Sequence, residues 1–299
     1  LGSLFTFYSC SNSTESEIVA SYPNVLEAFT GKIDLNNLSN YANQTKPAYI
    51  TKDNTAGNPI TDKGATLGRV LFYDKNLSSN NTISCASCHI QANAFGDDTD
   101  ASDGVNGTTT RHAMRLVNSR FSNERKFFWD ERAATLELQS SEPIKNHIEM
   151  GFSGTSGDGS ITTLISKLQG IGYYKELFKY VYGSEEITES KLQLALAQFI
   201  RSIQSFDSKY DLGRIAVQSD NQAFPNFTAQ ENQGKTLFLT PPVFNVSGVR
   251  TSGGFGCAAC HAAPEFDIDP NTRNNGIIGV LNDTGIDITN TRAPSLRDL

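Results

Sequence analysis

Hydrophobic residues recur at helical spacing along much of the chain, and strand-like alternation of apolar and polar positions is scarce. Leu67, Val70, Leu71 and Phe72 share one face of a predicted helix. The clearest helix is predicted over 189–206. There Leu192, Leu196, Phe199, Ile200, Ile203 and Phe206 form an apolar stripe behind a candidate N-cap, Thr188. Thr228-Ala229-Gln230-Glu231 has the capping-box pattern and opens a helix expected to run through Leu239. Residues Asp97 to Thr110 and Gly151 to Ser160 read as polar, glycine-containing loops, and Gln218 to Phe227, with Pro225, as a linker. The expected fold class is all-α, with two small helical domains in tandem over 56–217 and 218–299.

The first 55 residues differ in character. Leu1 to Ser9 is apolar, Cys10 follows, and the next residues are Asn-, Ser- and Thr-rich. This pattern is expected of a residual signal peptide (1–9) running into a lipoprotein cysteine, with a tether and irregular lead-in over 10–55. Membrane contact would then be through a lipid anchor at Cys10, with the protein in the periplasm. No other stretch is apolar for long enough to cross a bilayer. At 299 residues the chain has room for two cores, and its net charge of −7 argues against nucleic acid, whose phosphates it would repel. The same charge suits a small basic electron donor.

Chemistry enters with Cys85-Ala86-Ser87-Cys88-His89 and Cys257-Ala258-Ala259-Cys260-His261. Two cysteines one helical turn apart can each form a thioether to a haem vinyl group, and the following histidine can bind the iron. The chain has five cysteines, and these motifs use four. A zinc site built from two Cys-x-x-Cys pairs would need no histidine after each pair, and disulfides would need neither spacing. The cofactors expected are two covalently bound haem c groups. Covalent haem attachment takes place outside the bacterial inner membrane, in agreement with the export signal.

Around the motifs lie Leu67-Gly68-Arg69-Val70-Leu71-Phe72-Tyr73-Asp74, then Phe127-Phe128-Trp129-Asp130-Glu131-Arg132-Ala133 continuing to Glu149-Met150, and Ala293-Pro294-Ser295-Leu296-Arg297. Together these resemble the bacterial di-haem cytochrome c peroxidases, a family that includes the di-haem methylamine-utilisation enzyme. The resemblance covers residues 60–299 and is ungapped from Trp129 to Met150. It implies two cytochrome c-like domains. The N-terminal haem, on Cys85, Cys88 and His89, would be the peroxide site. The C-terminal haem, on Cys257, Cys260 and His261, would take electrons from a small cytochrome c or copper protein. His89 and His261 would be the proximal iron ligands. The resemblance further places Trp129 between the haems and Gln139, Pro143 and Glu149 in the pocket beside the peroxide. A carboxylate there can move the proton that peroxide cleavage requires.

Four histidines and two methionines limit the remaining iron ligands to His112, His147, Met114 and Met150. In many family peroxidases a loop histidine caps the peroxide haem, but the corresponding loop here, about Asp98 to Thr110, has none. A five-coordinate N-terminal haem is therefore expected, with His112 a structural substitution and His147 a polar loop residue. The resemblance also implies a calcium ion between the domains, held in part by an asparagine. His112 stands in that place and argues against the ion, because calcium prefers oxygen ligands. The family's distal ligand of the C-terminal haem lies beyond Leu299, so the sequence is expected to be truncated; a homodimer is a further expectation from the family. The function expected is reduction of hydrogen peroxide to water. The alternatives are a methylamine-utilisation-type oxidase that modifies a partner protein, and a non-catalytic di-haem electron-transfer cytochrome.

Overall fold

The computed structural model describes residues 22–122, 127–268 and 293–297. The expected signal peptide and Cys10 lie outside the described residues. Among those described, the architecture is helix-rich and its strands form only short two-stranded ladders. No helix among them is long and apolar enough to cross a membrane.

The centre of the fold is a pair of helices, α2 (Asp62–Tyr73) and α7 (Glu189–Ser202). Thr61 caps α2 by accepting from the Gly64 amide, and Thr188 caps α7 by accepting from the Lys191 amide. Leu67, Val70, Leu71 and Phe72 face inward against Leu192, Leu196, Phe199 and Ile200, and all eight are buried. The approach is close. A Cβ on Gly68 would lie 2.0 Å from the Ala195 carbonyl oxygen, so glycine is required there by contact with the facing backbone. Helix α4 (Leu136–Ser141) packs on α7, and α5 (Ile161–Gln169) and α6 (Gly172–Tyr182) complete the bundle.

One finding differs from the sequence reading and two add to it. Helix α7 ends at Ser202 although its apolar stripe continues to Phe206. Beyond it, Asn118 donates from its main-chain N–H to the Ile203 carbonyl (2.9 Å) and from Nδ2 to that of Ser205 (2.8 Å), and its Oδ1 accepts from the Ser205 amide (2.9 Å). These partners draw the chain into an extended path while Ile203 stays buried and Phe206 stacks on Phe121. The lead-in is irregular but folded from residue 22. Helix α1 (Pro23–Ala28) packs on α6, and Val25, Leu35, Tyr41 and Ile50 are buried. The linker is also folded: Phe224 is buried, and its amide donates to Asn232 Oδ1 at 2.8 Å, within α9 (Ala229–Leu239).

Helix α9 opens with the Thr228/Glu231 capping box and packs on the turn carrying the second cysteine pair. A buried ion pair joins distant segments. Arg297 Nη1 donates to both Asp211 oxygens (2.7 and 2.6 Å), and its Nη2 donates to the Pro264 carbonyl (2.7 Å). Tyr49 donates to the same aspartate at 2.6 Å. The lead-in, helix α8 (Lys209–Ile215) and Arg297 thereby meet at one carboxylate, and Arg297 ties in the loop after His261.

Candidate functional site

Cys85 to Cys88 form the single helical turn α3, opened by Ser84, whose amide donates to Ser87 Oγ at 3.0 Å. Residues i and i+3 of a turn share a face, so both sulfurs are offered to one side. Burial pushes the Cys85 thiol up to about 12 and raises that of Cys88 as well. A thioether carries no charge, so the same burial costs it nothing.

His89 follows at the end of the turn, with its amide on the Cys85 carbonyl at 2.9 Å. Burial lowers its pKa from the usual histidine range, against the pull of the Phe95 and Met114 carbonyls, and favours the neutral ring. Nδ1 lies 2.9 Å from the Phe95 carbonyl oxygen, and a carbonyl can only accept. Nδ1 is therefore the protonated nitrogen, and Nε2 keeps the lone pair a metal requires. The loop aims that carbonyl by passing through the left-handed region at Ala94 and Phe95, φ 56° and 58°, where non-glycine residues are uncommon.

The first motif opens onto a cavity of about 430 Å³ whose wall includes Cys85, Cys88 and His89 together with Trp129, Gln139, Pro143 and Glu149. Residues 64 positions apart in sequence thus face one space, of a size suited to a cofactor. The fit to haem rests on the donor set and on Arg115, also in the wall. Its Nε is buried and has no hydrogen-bond partner among the described residues; a haem carboxylate is the acceptor it lacks.

Glu149 is held by its backbone. Asn146 Oδ1 accepts from the amides of Ile148 (2.9 Å) and Glu149 (3.2 Å), and the Val105 amide donates to the Glu149 carbonyl at 3.0 Å. Val105 belongs to the hairpin of β1 (Asp103–Gly104) and β2 (Gly107–Thr108), within the loop that has no capping histidine. That hairpin sits on the glutamate's strand so closely that a Cβ on Gly104 would lie 2.0 Å from the Ile148 oxygen. Burial raises the Glu149 carboxyl above the usual range, and the Arg132 charge partly offsets this. Arg132 also lines the cavity, stacked 3.5 Å from the Phe128 ring centroid and 2.8 Å from Asp130.

Trp129 is displayed by a tight turn closed by the Phe127–Ala133 bridge, with left-handed backbone at Phe128 and Glu131. Its Nε1 donates to the His112 carbonyl at 2.9 Å. His112 and Met114 lie in the cavity wall, and His112 Nδ1 is engaged by the Thr99 carbonyl at 2.8 Å. His147 lies outside that wall, paired with Asp158 at 2.9 Å, whereas Met150, although buried, also lines the cavity. Sequence reasoning missed Arg115, Arg132 and Asn146. Arg132 and Asn146 fall inside the ungapped stretch, which marked them, whereas nothing local marked Arg115.

The second motif lies apart from this cavity. Cys257 to Ala259 form a short 3-10 turn entered through Gly256, φ 68°, and His261 starts β3 (His261–Ala262), paired with β4 (Asp267–Ile268). Burial lowers the His261 pKa, with the Pro294 carbonyl opposing, and its Nδ1 is buried without a hydrogen-bond partner among the described residues. Among the described residues no three His, Cys, Asp or Glu side chains converge to hold a metal, so the two cysteine pairs do not form one zinc site.

Comparison with known proteins agrees on one family. Residues 62–217 match the family described as di-haem cytochrome c peroxidase. The chain is 30% identical over 213 residues to the methylamine utilization protein MauG of Methylophilus methylotrophus, covering 71% of this chain and 56% of that protein. It is 30% identical over 201 residues to the cytochrome c551 peroxidase of Nitrosomonas europaea, covering 67% and 52%. The crystal structure of a MauG-like protein associated with microbial copper homeostasis superposes with a TM-score of 0.64 at 28% identity, covering 86% of this chain and 75% of that one. The chain spans about half the length of the curated relatives it matches.

Proposed function

The chain belongs to the di-haem cytochrome c peroxidase family, and from that membership we propose that it reduces hydrogen peroxide to water with two electrons from a small redox protein. In this reading peroxide reacts at the Cys85/Cys88/His89 site, and electrons arrive through the Cys257/Cys260/His261 site of a second haem domain. The observation that carries it is the half-buried Glu149, with its carboxyl pushed up by desolvation, in the same cavity wall as His89.

A haem held by His89 supplies an iron that binds peroxide and stores and passes electrons. The protein's part is proton movement and orientation. One Glu149 carboxylate oxygen accepts the proton of the inner peroxide oxygen and returns it to the outer oxygen as that leaves as water. Such general acid–base catalysis is worth roughly 10²–10⁴ in rate. Burial suits the role, because a carboxyl with raised proton affinity holds the proton between the two transfers. The Gln139 amide orients the peroxide or a water, and Pro143 shapes the wall. Trp129, fixed by its bond to His112, offers an aromatic bridge toward the second site. Export, and anchoring at Cys10, belong to the same proposal.

A second reading is favoured by the relatives named MauG: an oxidase that uses the haem pair to modify a partner protein. Steady-state assay of the full-length two-haem protein separates the two. Sustained peroxide consumption coupled to oxidation of reduced cytochrome c is expected, and its absence in a protein whose haems react with peroxide would favour the oxidase.

A further inference from the structure

The rings on the His89 side of the cavity form a continuous series that reaches the surface. The His89 and Phe72 ring centroids are 6.4 Å apart, and Phe72 and Tyr73 are 5.3 Å apart at 66°. Phe72 is 1% exposed and Tyr73 is 40% exposed. Consecutive residues on a helix point about 100° apart, so the last turn of α2 turns one ring to the core and the next to solvent. Phe199 packs against both, at 5.2 and 6.3 Å, and closes the gap between them. The Tyr73 hydroxyl donates to Gln91 Oε1 at 2.8 Å, which fixes the ring at the rim.

Core packing accounts for Phe72 and Phe199. It does not account for an oxidisable phenol held on the outer side of the same cluster. Electron tunnelling falls off steeply with distance and is favoured through packed atoms. The phenyl rings need not be oxidised themselves; they need only fill the space. Two tyrosines join this series, Tyr73 and Tyr41, the latter 6.4 Å from Phe199; Tyr41 is buried, and Tyr73 is the one that solvent reaches.

We propose that Tyr73 is a second electron-donor site, through which small phenolic reductants at the surface feed the His89 centre without using the Cys257/Cys260/His261 site. This rests on the peroxidase reading above, which supplies hydrogen peroxide as the oxidant. In each half-turn Tyr73 gives one electron to the centre and its phenolic proton to water. The phenoxyl then takes a hydrogen atom from the reductant, breaking the reductant's O–H bond and restoring its own. Two half-turns supply the two electrons and two protons that convert one peroxide to two waters, and release two phenoxyl radicals of the reductant.

Tyr73→Phe keeps the ring and its packing and removes only the oxidisable group. The test uses the full-length two-haem protein, with guaiacol or reduced cytochrome c as reductant. Peroxide-treated protein is also exposed to a nitroso spin trap and mapped by peptide mass spectrometry. The expected result is a trapped adduct on Tyr73 in the wild type and none in the variant. Guaiacol oxidation should fall at least tenfold in the variant, while cytochrome c oxidation stays within twofold. An adduct on Tyr173 or Tyr174 instead, or guaiacol oxidation unchanged in Tyr73→Phe, overturns the proposal while leaving peroxide reduction intact. A wild-type haem spectrum that does not respond to peroxide removes the oxidant and overturns both.

Discussion

At the scale of single residues, the four histidines are divided by their partners. His89 turns Nδ1 to the Phe95 carbonyl and keeps Nε2 for iron, whereas His147 is paired with Asp158 away from the cavity. His112 reaches the cavity wall, but its Nδ1 is held by Thr99, and its carbonyl holds Trp129. The bond to Trp129 is structural, as expected from sequence, while the Thr99 bond leaves the His112 Nε2 lone pair as available as the Phe95 bond leaves that of His89. Because the loop over 98–110 carries no capping histidine, the peroxide-site haem is predicted to be five-coordinate and high-spin in the oxidised, full-length protein, and His112 is the wall histidine whose ligation would overturn this. Electron paramagnetic resonance checks this, and a low-spin bis-histidine signal from that haem would contradict it. The haem motifs were legible because attachment needs two sulfurs and an imidazole at fixed local spacing. Arg115 was not, because an orphaned guanidinium nitrogen exists only once the chain has folded around it.

At the scale of elements, both predicted helix starts were legible, and of the two ends the one at Leu239 was legible and the one at Phe206 was not. Thr188 and Thr228 cap helices through bonds to residues three positions on, so the signal lies within one turn of chain. The end of α7 depends instead on Asn118, far away in sequence, and the apolar stripe that ran past it packs equally well from an extended backbone. The lead-in is irregular, as expected, but its packing was not legible: its few apolar residues are widely spaced and show no period, yet Val25 and Ile50 are buried. The α2–α7 contact makes its own prediction. Gly68→Ala would drive a methyl into the Ala195 carbonyl, and overpacking of this kind costs about 1–3 kcal/mol. Chemical denaturation of the variant should show a loss of at least that size, and unchanged stability would mean the two helices sit further apart.

At the scale of the whole molecule, Asp211 ties three segments together, and its environment predicts a pH dependence. Burial pushes its carboxyl up, but bonds from Arg297, Ser208 and Tyr49 outweigh burial and hold it below the ordinary range. A carboxylate depressed on folding contributes stability that is complete above its unfolded value of about 3.9 and is lost as pH falls through the lower folded value. Arg297→Met removes the cation and leaves a buried charge, a change that costs about 3–5 kcal/mol near neutral pH. That loss should shrink on acidification, as Asp211 in the variant takes up a proton more readily than in the unfolded chain. Unfolding midpoints measured from pH 7 to pH 3 check both signs. The two Cys-x-x-Cys-His sites are proposed to be unequal, because among the described residues only the one ending at His89 shares a cavity wall with a carboxyl of raised proton affinity. Stopped-flow reaction of peroxide with Glu149→Gln, prepared with both haems attached, tests it most directly. A peroxide reaction slowed by roughly 10²–10⁴ with haem content unchanged is predicted, and a wild-type rate in that variant would contradict it.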